Sequence, residues 1–205
     1  MASSLKIPEG GSPASVDRSA AAGLGSSEPT DAVLLAKLRD GQVLAGETLV
    51  QRYYTPLIRY LHRLTSSEAI AEELLQQSWL SVLENVDRFD PAGGGGFKAW
   101  LFRIATNKAN DYWRSRSREK NAKSGLRLVV DQEHPPADQR MEASEQEQKL
   151  QWAISQLPDG QRQVLLLRYY SDLKFVEIAE LIGCPLNTAL GRMHKAMLKL
   201  KELMS

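Results

Sequence analysis

Leu173-Lys174-Phe175-Val176-Glu177-Ile178-Ala179-Glu180-Leu181-Ile182-Gly183-Cys184-Pro185-Leu186-Asn187-Thr188-Ala189-Leu190-Gly191-Arg192 decides the fold of this 205-residue chain. Ile178, Ala179 and Ile182 recur at helical spacing. Gly183 then breaks the pattern, and a second helix starts at about Pro185. Ala179 is small enough to let two helices cross closely. Gly183 supplies the sharp turn, because glycine adopts positive φ without strain. This is the spacing of a helix-turn-helix, whose second helix enters the major groove with its N-terminal residues toward the bases.

On a helical wheel, Leu186, Ala189, Leu190, Met193, Met197 and Leu200 of that second helix face inward. Asn187, Thr188, Gly191, His194 and Lys195 face outward, with Arg192 and Lys199 beside them. Asparagine and threonine suit base edges, and arginine and lysine suit bases or phosphates. The same pattern also fits an αα-hairpin with a core face and a solvated polar face.

The sequence on either side is helical as well. Leu150, Ile154 and Leu157 form an apolar patch, Pro158-Asp159-Gly160 a turn, and Val164 to Tyr169 a further helix. The segment from Ser115 to about Met141 lacks periodicity, contains Pro135-Pro136, and reads as a linker. Before it, Phe97, Trp100, Leu101, Ile104, Ala105 and Tyr112 share the apolar face of a helix that Phe97 opens. Arg103, Asn107, Asn110 and Arg114 line the opposite face, suited to phosphates or exposed bases or simply to water. Gly93 to Gly96 reads as a flexible loop.

Ala71, Leu74, Leu75, Trp79, Val82, Leu83 and Val86 mark another amphipathic helix, with Thr65-Ser66-Ser67-Glu68 as its capping box. Glu72, Glu73, Gln76 and Gln77 form its polar side, a solvated surface or a docking site with Trp79 as anchor. A helix through Val50, Tyr53, Leu57, Leu61 and Leu64 is expected to kink or restart at Pro56. Thr30 and Asp31 cap a short helix that Asp40-Gly41 ends. Residues 1–29 are Ser/Gly/Ala/Pro-rich and are expected to be disordered.

The formal net charge is only +1, so any affinity for nucleic acid has to come from the distribution of charge. Phe97 to Lys123 carries 8 Lys/Arg against 2 Asp/Glu; Asp131 to Gln148 carries 6 acids against 1 arginine; Leu186 to Lys201 carries 4 bases and no acid. Two basic segments thus flank an acidic one. Cys184 is the only cysteine, which excludes an intramolecular disulfide and a cysteine-based zinc cluster and fits a reducing, cytoplasmic compartment. No signal peptide or membrane span is read. His62, His134 and His194 lie in separate segments without metal-ligand spacing, and Gly93 to Gly96 does not match a phosphate-binding loop. No catalytic residue, metal site or cofactor is expected.

Taken together, the segments from Asp31 to Ser205 resemble an extracytoplasmic-function (ECF) sigma factor of bacterial RNA polymerase. Three stretches carry the resemblance. They are Ala71-Glu72-Glu73-Leu74-Leu75-Gln76-Gln77-Ser78-Trp79; Arg88-Phe89-Asp90-Pro91 with Phe97-Lys98-Ala99-Trp100-Leu101, Ile104-Ala105, Asn107 and Asp111; and Leu157-Pro158, Gln161-Arg162, Val164 to Tyr169, Glu177-Ile178-Ala179-Glu180 and Gly183.

The resemblance implies an all-α fold of two small helical domains joined by a flexible linker, the second a helix-turn-helix. It implies a region 2-like domain at 30–118, a linker at 119–141 and a region 4-like domain at 142–205. It implies contact with core RNA polymerase through Glu72, Glu73, Leu74, Gln76, Gln77 and Trp79. It implies −10 promoter contacts by Arg103, Asn107, Asn110 and Arg114, and −35 contacts by Asn187, Thr188, Gly191, Arg192, His194 and Lys195. An anti-sigma factor is a further partner of such proteins. The chain departs from the family pattern at Gln77, usually an acid, and at Leu190-Gly191, often Lys-Ser. A helix-turn-helix regulator acting without polymerase is the alternative.

Overall fold

Eight helices account for the regular structure of the computed structural model, which describes residues 28–90, 95–124 and 145–205. They are α1 (Asp31–Arg39), α2 (Val43–Thr65), α3 (Glu68–Asn85), α4 (Gly96–Ser124), α5 (Glu145–Ser155), α6 (Asp159–Ser171), α7 (Phe175–Ile182) and α8 (Leu186–Met204). A 3-10 turn, Val86–Arg88, follows α3. No strand occurs among the described residues. The expected tail lies outside them, apart from its last residues.

Local chemistry sets most of the boundaries. Thr30 caps α1, its hydroxyl accepting from Val33 N, which satisfies one of the donors a helix start leaves open. Asp31 then accepts from Arg52 Nη1 at 2.5 Å and from the Tyr53 hydroxyl, pinning α1 to α2. Gly183 ends α7 at φ +67, as the sequence predicts.

Four expectations change. The cap of α3 is Ser67, which accepts from Ile70 N, while Thr65 belongs to the last turn of α2. No capping box forms, because Glu68 is then the first helical residue. Helix α2 runs unbroken through Pro56. Leu49, Tyr53, Leu57, Tyr60, Leu61 and Leu64 are all buried on one stripe, and that burial outweighs the roughly 3 kcal/mol that an interior proline costs.

Helix α4 begins at Gly96 rather than Phe97. Gly95 and Gly96 have φ +84 and +65, and a Cβ on Gly95 would lie 2.4 Å from Ala99 Cβ. Gly93 and Gly94 lie outside the described residues. At its far end α4 continues to Ser124, through much of the stretch read as linker. Its last turns are rich in Arg, Lys and Glu, good helix formers that carry no apolar period. The acidic stretch from Asp131 lies outside the described residues as far as Ser144.

Two helical units result, and they pack on each other. In the first, α2, α3 and α4 bury Leu57, Leu61, Leu74, Val82, Leu101 and Phe102. In the second, α5 to α8 bury Leu157, Leu166, Leu167 and Ile178. Helix α2 packs against α6, and α4 against α6 and α7, so one continuous core runs through both.

The seam is polar in places. Gln151 on α5 accepts from Arg63 Nη1 at 2.7 Å and donates to Ser66 Oγ at 2.9 Å, tying down the end of α2. Gln163 on α6 donates to Asn110 Oδ1 on α4 at 2.6 Å. Arg162 is 4% exposed, paired with Asp159 and donating to Ser155 O. Burial pulls its pKa below the ordinary value, with Asp159 opposing. Tyr60, fully buried beside it, shares a 2.8 Å hydrogen bond with Thr106. Burial raises the phenol's pKa against the pull of that bond.

Candidate nucleic-acid interface

Helix α3 presents the first candidate surface. Glu72, Glu73 and Gln76 are exposed, and Gln77 donates to Glu73 at 3.0 Å. Two expected contact residues lie elsewhere. Leu74 is 2% exposed and belongs to the core. Trp79 turns its ring toward Phe97, with centroids 6.3 Å apart, and its indole N–H is buried. Both fall on the side of α3 that packs on α2 and α4, because the apolar stripe of this helix is the one the core uses. Leu80 and Leu83 are exposed instead, at 58% and 53%. The helical period sets Leu83 on the apolar face and does not single out Leu80. Their spacing from Gln76, four and seven residues, was the available signal. The surface is thus apolar at Leu80 and Leu83 and polar at Glu72, Glu73 and Gln76.

The second candidate surface starts from a cluster of rings. Phe97 packs against Tyr53, Phe89, Trp79 and Trp100, with centroids 5.5 to 6.3 Å apart. Phe97 and Trp100 are therefore core, as their positions on the apolar face predict. Arg39 of α1 reaches across to the same place. Its Nε and Nη2 donate to Val86 O at 3.0 and 2.7 Å, and Nη2 also donates to Phe89 O at 2.5 Å. A guanidinium thus holds the carbonyl end of the 3-10 turn, where its charge is favourable. Phe89 and Phe97 are both buried in this cluster. Arg39→Ala is expected to cost about 1–3 kcal/mol, because partly buried carbonyls lose charge-assisted partners. A fall in the melting temperature checks this.

Along α4, Arg103, Asn107 and Arg114 are exposed. Arg114 lies 3.4 Å from Asp111, a solvated pair worth little. Asn110 is half-buried, and its amide oxygen is occupied by Gln163. Three of the four expected −10 residues thus share an open basic face, while the fourth stands at the seam between the units.

The third surface is the helix-turn-helix. Asn187, Thr188, Gly191, His194 and Lys195 are exposed on one side of α8. A Cβ on Gly191 would meet nothing within 4 Å. Arg192 differs from expectation. Its guanidinium lies over the first turn of α6, where a Cβ on Gly160 would come within 3.1 Å of Arg192 Cζ. Position 192 falls on the α6-facing flank of α8, so the side chain packs there and does not project outward.

The inward set is also corrected. Ala189 and Ala196 are fully buried, with Met193 and Leu200 packed beside them. Leu186, Leu190 and Met197 remain 40%, 42% and 51% exposed. The positions of α8 that are fully buried are thus the two alanines, and the larger apolar side chains are left on the flank.

Among the described residues, no group of three or more His, Cys, Asp or Glu is placed to hold a metal ion. No helix among them is long and apolar enough to cross a membrane.

Comparison with known proteins adds to this geometry. Residues 49–119 match the family described as Sigma-70 region 2, and residues 147–200 match Sigma-70, region 4. The ECF RNA polymerase sigma factor SigW of Bacillus subtilis (strain 168) is 27% identical over 184 residues, covering 82% of this chain and 96% of SigW. EcfG of Rhodopseudomonas palustris (strain TIE-1), also an ECF RNA polymerase sigma factor, is 31% identical over 134 residues, 65% of this chain and 71% of EcfG. Among solved structures, the sigma factor RpoE in complex with the anti-sigma factor NepR, from Bartonella quintana, is similar with a TM-score of 0.62 at 25% identity, covering 77% of this chain and 95% of RpoE. CnrH, solved with the cytosolic domain of CnrY, shares the fold at a TM-score of 0.62 and 24% identity, covering 85% of this chain and 96% of CnrH.

Proposed function

The chain belongs to the ECF RNA polymerase sigma factors, and from that membership we propose how its own residues carry out the work of the family. It is a transcription initiation factor, not an enzyme. It binds core RNA polymerase and directs it to promoters by their −10 and −35 elements. The observation that carries this function is the order of the two matched regions along one chain, region 2 at 49–119 and region 4 at 147–200. A helix-turn-helix regulator acting alone has no use for the first of these and is not favoured.

The residue roles proposed are these. Glu72, Glu73, Gln76 and Gln77 dock on core polymerase, with Leu80 and Leu83 supplying the apolar contact that the polar set lacks. Leu74 and Trp79 hold α3 in place from behind. Arg103, Asn107 and Arg114 take the phosphates and exposed bases of the opened −10 strand. Asn110 joins them once Gln163 releases it. Asn187, Thr188, Gly191, His194 and Lys195 face the −35 duplex, where asparagine pairs with an adenine edge and lysine with phosphate. The domain division proposed is 30–124 for the polymerase and −10 unit and 142–205 for the −35 unit.

A cytoplasmic location follows from work on the transcription apparatus. A partner that restrains the protein is also proposed, since the similar RpoE is found with an anti-sigma factor.

The test is capture of core polymerase by the full chain, followed by run-off transcription from a promoter library. Tight binding and new promoter-specific transcripts are expected. Gln76→Ala is expected to weaken capture. Lys195→Ala is expected to weaken −35 binding across all sequences and to lower the salt slope of binding by about one unit. Specific duplex binding with no capture of polymerase overturns the proposal.

A further inference from the structure

Two of the three exposed leucines of α8, Leu186 and Leu190, are out of place on a helix that meets DNA; the third, Leu198, stands toward its far end. Leu186 and Leu190 are one helical turn apart, in the half of α8 whose residues face bases. Each leaves about two fifths of its surface open. Neither has a charge or hydrogen-bonding group to offer a phosphate. Asn187, Thr188, Gly191 and His194 around them are exposed as well, while Ala189 between them is buried. Gly191 has open space where a side chain would stand, so nothing holds the helix back from the groove at that point. Beyond the leucines comes exposed Lys195, and no acid stands between Leu186 and Lys201. An apolar strip embedded in amide, hydroxyl and basic groups fits a duplex better than it fits a hydrophobic protein partner.

Base pairs offer one apolar group in the major groove, the C5-methyl of thymine. We infer that this protein selects its −35 element partly through thymine methyl groups, contacted by Leu190 with Leu186 beside it. The inference rests on the proposed role of α8 and deepens it. Where a lysine at position 190 would seek phosphate or guanine, the leucine rewards thymine and rejects bases that would leave it against a polar edge. Asn187 lies one residue after Leu186 and three before Leu190. Three residues of helix rise about 4.5 Å, close to the spacing of one base pair at about 3.4 Å. The thymine read by Leu190 therefore lies about one base pair from the adenine read by Asn187.

The test uses the holoenzyme, reconstituted from core polymerase and the full chain, on promoters with a randomised −35 region. Transcribed sequences are expected to be enriched in thymine, on either strand, next to an adenine. Replacing each such thymine with deoxyuridine removes only the methyl. Transcription by the wild-type protein is expected to fall about fourfold at the contacted position, the equivalent of one buried methyl group. Leu190→Ala, at an exposed site, is expected to lose this response, and Leu190→Lys to move the preference toward guanine. A selected −35 element that is indifferent to every thymine methyl overturns the inference and leaves the role of α8 standing. Selected promoters without any −35 preference overturn both. Loss of core polymerase binding by Leu190→Ala, with methyl dependence absent, assigns the strip to a protein partner instead and also overturns the inference.

Discussion

Leu74→Arg is expected to unfold the first helical unit, rather than to give a folded protein that has lost only its polymerase contact. Leu74 is 2% exposed and packs within the core that α2, α3 and α4 share. Removing a buried leucine alone costs about 2–5 kcal/mol. A guanidinium placed there without a carboxylate partner adds several kcal/mol more. Together these approach the whole stability of a small domain, about 5–15 kcal/mol. The expected result is loss of the cooperative thermal transition, read by circular dichroism, with core polymerase binding lost as a consequence.

Leu80→Arg makes the contrast. Leu80 stands one turn beyond Gln76 and is well exposed. An exposed substitution of this kind changes stability by about 0.5 kcal/mol or less. Leu80→Arg is therefore expected to melt like the wild type and still fail to capture core polymerase. A Leu74→Arg variant that keeps its melting transition removes Leu74 from the core.

What the sequence made legible was local. Thr30, Gly183 and the Phe97 face carry their signal within a few residues, because caps, positive-φ turns and a 3.6-residue period are local devices. The three candidate surfaces were legible for the same reason, as polar stripes opposite apolar ones. The misses are all questions of what lies across the gap. The sequence predicts a kink or a restart at Pro56, but a long buried stripe keeps α2 unbroken. The last turns of α4 were read as linker because they are polar all round, and only their composition spoke for helix. The resemblance gives Leu74 and Trp79 to core polymerase while the helical period sets both on the apolar face, and an apolar residue on an amphipathic helix does not say which neighbour it meets. On α8 the wheel placed Leu186, Leu190 and Met197 inside. The fully buried positions are instead Ala189 and Ala196, and no wheel distinguishes a small residue that admits a neighbour from a large one left at the edge. Arg39 is the clearest case. Its partners lie 47 and 50 residues away, beyond the range of any pattern.

The two DNA-reading units are expected to part by tens of ångströms when the holoenzyme engages a promoter. In this structure α4, which carries the residues proposed for the −10 element, packs against α6 and α7 of the helix-turn-helix unit. A compact body of about 150 residues, the number described, has a radius of gyration of about 15 Å and is roughly 40 Å across. Elements centred at −10 and −35 are about 25 base pairs apart, or about 85 Å of duplex at about 3.4 Å per step. One compact body cannot cover both.

Opening the seam exposes the apolar core that both units share, so core polymerase and promoter DNA have to supply the free energy of separation. The polar bonds across it, Arg63 to Gln151, Gln151 to Ser66, and Gln163 to Asn110, can each be replaced by water. Parting also frees Asn110 from Gln163, and on the role proposed for Asn110 opening and DNA binding then favour each other. The 20 residues between Ser124 and Glu145 can span up to about 70 Å when extended, so neither unit has to unfold. Fluorophores on cysteines introduced at exposed Glu47 and Lys201, with Cys184→Ser, report the distance. Energy transfer is expected to be strong in the free protein and to fall sharply in the open promoter complex. Gln151→Ala with Gln163→Ala is expected to lower it already in the free protein. Transfer that stays high in an actively transcribing complex excludes the separation, because the −10 and −35 faces would then have to work from a single compact body.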